Sequence, residues 1–111
     1  DLHTAYRRQR QMCIRDRVEG MRQAVGAEGF VRQQMAILGR PDSRPLLAKI
    51  DCRTLVVVGE GDQLTPPALA QEISSSVPGA KLAIIPGAGH LAPMERPEAV
   101  NAVLQRWLSQ A

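Results

Sequence analysis

The sequence predicts an α/β fold: helices, then a parallel βαβ unit and a terminal helix, built on an incomplete sheet. Three observations carry this reading. Residues 54–59 and 82–85 are short apolar runs without polar alternation, which marks strands buried on both faces. The stretch between them has helical spacing with its own start and stop signals. Helical spacing also precedes the first run and follows the second, so the order is helix, helix, strand, helix, strand, helix.

Each element has a local cause. From Val18 onward the pattern is helical: Met21 and Val25 lie four apart, and Val31, Met35 and Leu38 repeat the i, i+4, i+7 spacing of a buried stripe. Gly26 and Gly29 interrupt it, which predicts two helices with a break near Gly26 and an end near Gly39. Arg40-Pro41-Asp42-Ser43-Arg44-Pro45 is a connector in which Asp42 or Ser43 can cap a short helix bearing Leu46, Leu47 and Ile50. Thr65-Pro66-Pro67 starts the central helix, with Thr65 as N-cap and Pro66 in the first turn, where its missing N–H costs nothing. Leu69, Ile73 and Val77 form its stripe, and Pro78-Gly79 ends it. Pro86-Gly87 closes the second strand, and Arg96-Pro97 opens a last helix with Val100, Val103, Leu104, Trp107 and Leu108 on one face.

Two doubly buried parallel strands need sheet neighbours, and these 111 residues offer no further strand. Val56, Val57 and Ile84 then border an open apolar edge, which is an aggregation hazard. The expectation is the end of a larger α/β domain, poorly soluble by itself.

Charge initially suggests nucleic acid, with a net charge of +3 and a pI of about 9.4. However, residues 1–17 hold five Arg against two Asp, and residues 18–111 balance nine Lys and Arg with nine Asp and Glu. A nucleic-acid reading therefore rests on one terminal run, and no nucleic-acid partner is expected of the domain. That run shows no helical or strand period. Its Met12-Cys13-Ile14-Arg15-Asp16 resembles a reading frame of the transposon end used in building sequencing libraries. Residues 1–17 are accordingly expected to be non-native or disordered, and the absence of a leading Met points to a truncated frame. No apolar stretch approaches the roughly 20 residues of a membrane helix, and no signal-type segment opens the chain. Cys13 and Cys52 lack metal-site spacing and read as free thiols, so a cytoplasmic protein without metal or membrane is expected.

The chemistry-bearing residues sit where a parallel sheet places its working loops, beyond the carboxyl ends of the strands. Gly59-Glu60-Gly61-Asp62 follows the first strand, and Gly87-Ala88-Gly89-His90 follows the second. One crossover thus brings an Asp and a His to the same rim, with small residues that let the backbones approach. An Asp that accepts from imidazole Nδ1–H fixes the tautomer and stabilises imidazolium, leaving Nε2 to take a proton.

The run Leu55-Val56-Val57-Val58-Gly59-Glu60-Gly61-Asp62-Gln63-Leu64-Thr65-Pro66-Pro67 resembles the acid-bearing strand and loop of α/β-hydrolases. Ile85-Pro86-Gly87-Ala88-Gly89-His90-Leu91-Ala92-Pro93-Met94-Glu95-Arg96-Pro97-Glu98 is similar to that family's histidine loop and final helix. With the Arg40 to Ser43 connector, the resemblance covers residues 18–111 and implies the C-terminal part of an α/β-hydrolase fold. It implies Asp62 as triad acid, His90 as general base, and residues 18–39 as the end of a helical cap, with residues 40–111 as core. Esterase, enol-lactonase and carbon–carbon hydrolase members are the nearest in look, so a small-molecule substrate and no cofactor are implied. Arg53 stands where the family often has proline.

The nucleophile is the large departure. No G-x-S-x-G occurs in the chain, and Ser74, Ser75 and Ser76 fall between acid and base, in the wrong order for it. Cys52 lies at the amino end of its strand, while Ser43 and Ser109 read as a cap and a tail residue. A Ser, Cys or Asp nucleophile and the oxyanion donors are expected upstream, and the chain alone is expected to be inactive. A non-enzymatic α/β module binding nucleotide near Gly59 is the alternative, although Leu64 stands where a dinucleotide fingerprint needs its third glycine. Glu95 and Glu98 read as favourable negative charge at the start of the last helix.

Overall fold

A computed structural model describes residues 2–110. The chain divides into two compact units, Asp1–Asp42 and Ser43–Ala111.

The first unit is built on α1, Leu2–Leu38. Its helical path is broken at Gly26, with φ 71° and ψ 173°, a conformation that only glycine adopts without steric cost. The break falls where the interruption of the apolar stripe predicts it. Residues 2–17, which lack an apolar period, are nonetheless helical. Their Arg and Gln have good intrinsic helix propensity and need no buried stripe to adopt the conformation. Arg22 and Glu19 form an exposed fork, Nε to Oε2 at 2.9 Å and a second guanidinium nitrogen to Oε1 at 2.5 Å.

In the second unit a 3₁₀ helix, Arg44–Lys49, leads to strand β1, Leu55–Gly59. Ser43 occupies the N-cap position of the 3₁₀ helix but its side chain makes no capping bond. Helix α2, Pro67–Ser76, crosses to β2, Lys81–Ile85. The strands pair in parallel with Leu55 opposite Lys81 and Gly59 opposite Ile85, and among the described residues the sheet has these two strands only. A one-turn helix α3, Ala92–Glu95, and the terminal helix α4, Pro97–Ser109, complete the unit. Local pattern does not foreshadow α3, because four residues carry too little periodicity to read.

The core forms where β2 meets the last helices. Ile85, only 1% exposed, packs with Ala88, Ala92 and Val100, and Val57, Ala99 and Val103 close around them. Burying a side chain of that size is worth about 1.5–3 kcal/mol. Val57 belongs to this cluster, so Val58, the next residue along β1, faces the other side of the sheet. Helix α2 packs on both strands, with Ala70 buried within it and Val77 buried just past its end. Its expected stripe is covered only in part: Leu69 and Ile73 remain 47% and 41% exposed. Ile84 of β2 is also exposed, as an unaccompanied pair of strands requires. Arg53 ties the end of α4 to the approach to β1; its guanidinium donates to the Trp107 carbonyl and lies 4.8 Å over the Trp107 ring centroid.

Candidate active site

Both loops beyond the carboxyl ends of β1 and β2 are held together by main chain. Glu60 N–H donates to the Ile85 carbonyl at 3.0 Å and Gly61 N–H to the Ala88 carbonyl at 2.8 Å. Asp62 N–H donates to the Gly59 carbonyl at 3.1 Å, which turns the chain so that its carboxylate points inward. Gly59 is buried beneath this junction. A Cβ there would lie 2.6 Å from the Ala88 carbonyl oxygen and would also strike that of Gly89.

Asp62 is only 7% exposed, and donors surround its carboxylate. Oδ1 accepts the backbone N–H groups of Leu64 at 3.0 Å and Thr65 at 2.9 Å. Oδ2 accepts the Thr65 hydroxyl at 3.0 Å and faces His90 Nδ1 at 3.0 Å. The carboxyl is held down at about 2, first by the Thr65 amide and then by the other donors, against the opposing effect of burial. An ionised carboxylate accepts only, so the proton between the two side chains belongs to His90 Nδ1. The Thr65 hydroxyl, already donating to Asp62, lies 3.4 Å from Nδ1 and can receive only from it.

With Nδ1 committed to Asp62, Nε2 is the ring nitrogen left for other chemistry, and the His90 side chain is 47% exposed. A neutral imidazole in this tautomer has a basic lone pair at Nε2, with a carboxylate behind it to stabilise the cation formed on protonation. The structure brings together the two residues singled out from sequence, Asp62 and His90. Two others around them were not foreseen. Thr65 reads as an N-cap, but α2 begins at Pro67 with Pro66 in the cap position, and the Thr65 hydroxyl serves Asp62. The signal available was an Asp three residues before a Thr, the spacing of a side-chain-closed turn. Glu95 is the second: its Oε2 accepts the amides of Gly89 and Leu91, both at 3.1 Å.

Three of the serines weighed as nucleophiles bond to helix carbonyls. Ser74 donates to the Gln71 carbonyl at 3.1 Å, Ser76 to Glu72 at 2.7 Å and Ser109 to Gln105 at 2.7 Å. Cys52 is an exposed free thiol before β1, at the opposite end of the strand from Asp62. No described helix is long and apolar enough to cross a membrane.

The stability conferred by Asp62 should depend on pH in a definite direction. Its folded value lies below the ordinary 3.8, so the contribution is complete above that value and is lost as pH falls toward about 2. Urea unfolding of the wild type and Asp62→Asn should therefore differ most above about pH 5 and converge between about pH 4 and pH 2. An undiminished difference at the acid end would show that the charge is not its source.

A strand–loop–helix–strand–loop–helix unit that aligns an ionised Asp with a His is matched by a family model described as the alpha/beta hydrolase family, over residues 3–103. The chain belongs to the alpha/beta hydrolase family. A thermophilic esterase from Thermogutta terrifontis is 42% identical over a match covering 65% of this chain and 26% of that one, with a TM-score of 0.63. The alpha/beta hydrolase MGS-MChE2, from a lagoon-sediment metagenome, is 29% identical over 84% of this chain and 44% of that one, with a TM-score of 0.70. A Mycobacterium tuberculosis protein named as a non-heme bromoperoxidase, BpoC, is 33% identical over 79 residues, 71% of this chain. The chain spans about 30% of the length of that curated relative. The two-stranded parallel sheet with its helices is thus a partial alpha/beta hydrolase fold, and the family is one of enzymes.

Proposed function

We propose that this alpha/beta hydrolase chain supplies the acid and the base of a nucleophile–His–Asp triad that hydrolyses an ester, lactone or carbon–carbon bond in a small molecule. The observation that carries the reading is the approach of a buried, ionised Asp62 to His90 Nδ1 at 3.0 Å, on a histidine whose side chain is half exposed. His90 Nε2 takes the proton of the nucleophile as it attacks the substrate carbonyl, then returns it to the leaving group. Asp62 holds the tautomer and stabilises the imidazolium in between. The nucleophile and the oxyanion donors come from sequence outside these 111 residues, and the chemistry uses no metal or organic cofactor. Esterase relatives support the ester arm of the reading. The exposed free thiols Cys13 and Cys52 fit a cytoplasmic setting.

A nucleotide-binding module finds less support. The amides of Glu60, Gly61 and Asp62, which would have to cradle a phosphate, already donate to carbonyls of the chain itself.

The test joins Ser43–Ala111 to the Thermogutta terrifontis esterase in place of that protein's matching segment. The chimera is expected to hydrolyse short acyl esters, whereas the 111-residue chain alone is not. Turnover by the isolated chain that disappears in His90→Ala would overturn the expectation of an external nucleophile. A folded chimera devoid of turnover would count against the proposed roles of Asp62 and His90.

A further inference from the structure

We propose that Glu95 is a positioning residue for His90, holding the main chain on both sides of the histidine so that the imidazole meets Asp62. This rests on the reading of Asp62 and His90 as a working pair. The two amides that Glu95 Oε2 accepts, Gly89 and Leu91, belong to the residues immediately before and after His90. A single carboxylate oxygen therefore holds the Ala88–Gly89 and His90–Leu91 peptides, the second of them directly attached to the histidine Cα. Hydrogen bonds to an ionised acceptor are roughly twice as strong as neutral ones.

Glu95 is itself set in place by α3. Its own N–H donates to the Leu91 carbonyl at 2.9 Å, and Met94 N–H donates to the same oxygen at 2.9 Å. Arg96 N–H closes the turn onto the Ala92 carbonyl at 2.8 Å. The chain leaves His90, makes one helical turn, and returns a carboxylate to the segment it has just left. On the other side, the Ala88 carbonyl receives Gly61 N–H from the acid loop. The histidine segment is thus held at residue 88 from the Asp62 side and at residues 89 and 91 from the Glu95 side. Removing the Glu95 carboxylate leaves two half-buried amides without that acceptor and frees only the second of these attachments. Negative charge near the start of α4 does not account for this arrangement, because the carboxylate reaches back to the loop rather than forward along the helix.

The readout is the imidazole tautomer of His90, measured by ¹⁵N NMR on the full 111-residue chain labelled at histidine, soluble or sedimented. A His3→Gln background leaves His90 as the single signal, and the pH is high enough to keep the ring neutral. The Nδ1-protonated form is expected to dominate in the parent and to fall several-fold in Glu95→Ala, toward the mixture of a free imidazole. Glu95→Gln keeps a carbonyl oxygen able to accept both amides and should restore the parent ratio. In a second, uniformly ¹⁵N-labelled sample of each variant, the amide signals of the β1–β2 ladder report whether it is folded. Should Glu95→Ala prevent folding, Glu95→Asp, one methylene too short to reach the loop, decides in its place. A parent tautomer ratio in either shortened variant, or an equal loss in Glu95→Gln, would overturn the proposal. Asp62→Asn separates the two levels: a tautomer indifferent to that change refutes the pairing of Asp62 with His90, whatever Glu95 does.

Discussion

In the esterase chimera, Asp62→Asn is expected to lower kcat/KM for a short acyl ester about 10⁴-fold with KM little changed. The size follows from what the substitution does to His90. An amide in place of the carboxylate can offer an N–H toward Nδ1, which favours protonation at Nε2 and places the proton on the nitrogen that must act as the base. Any imidazolium formed would also lose the negative charge beside it. Steric change is minimal, since Asn fills the same volume and can still accept the Leu64 and Thr65 amides now held by Oδ1. His90→Ala should cost at least as much, because it removes the base outright. Initial rates under subsaturating and saturating ester separate the effect on kcat from that on KM. A variant within tenfold of its parent would rule out the acid role of Asp62.

Gly59→Ala is expected to be the most damaging single-methyl change in the second unit. The added Cβ meets the carbonyl oxygens of Ala88 and Gly89, which are main chain and cannot rotate away. Either β1 draws back from β2 or the histidine loop lifts off its Gly61 bond. Overpacking of this kind costs about 1–3 kcal/mol, occasionally more. The neighbouring position provides the contrast. At Gly61 a Cβ would stand 3.4 Å from the Ala88 oxygen, so Gly61→Ala should be nearly neutral. Urea midpoints of the two variants test this, and equal effects would show that the close approach at Gly59 is not what limits that position.

Why Gly59 and its neighbours could be read in advance, while Thr65 and Glu95 could not, is a matter of range. Uninterrupted apolar runs specify the strands, their order specifies the crossover, and a parallel crossover leaves both loops on one rim. Asp62 and His90 follow from that geometry together with the resemblance of their flanking residues. Thr65 stands before two prolines, and a threonine there suits a helix cap as well as a turn closed by Asp62. The choice depends on Asp62 being buried and ionised, which is a tertiary fact. Glu95 depends on a one-turn helix too short to leave a periodic trace. The exposure of Leu69 and Ile73 is equally out of reach, because helical spacing marks an apolar stripe but not how much of it is covered. The helical state of residues 2–17 shows the converse, propensity without pattern.

The bond from Gly61 N–H to the Ala88 carbonyl has a consequence for how the site tolerates change. This attachment between the acid loop and the histidine loop is made by main chain, so exchange of the side chains at residues 60 or 61 leaves its donor and acceptor in place, proline at Gly61 excepted. Substitutions at these two positions can therefore rewrite the exposed edge of the acid loop without breaking its main-chain tie to the histidine loop. A scaffold of this kind separates what can be varied from what must be kept.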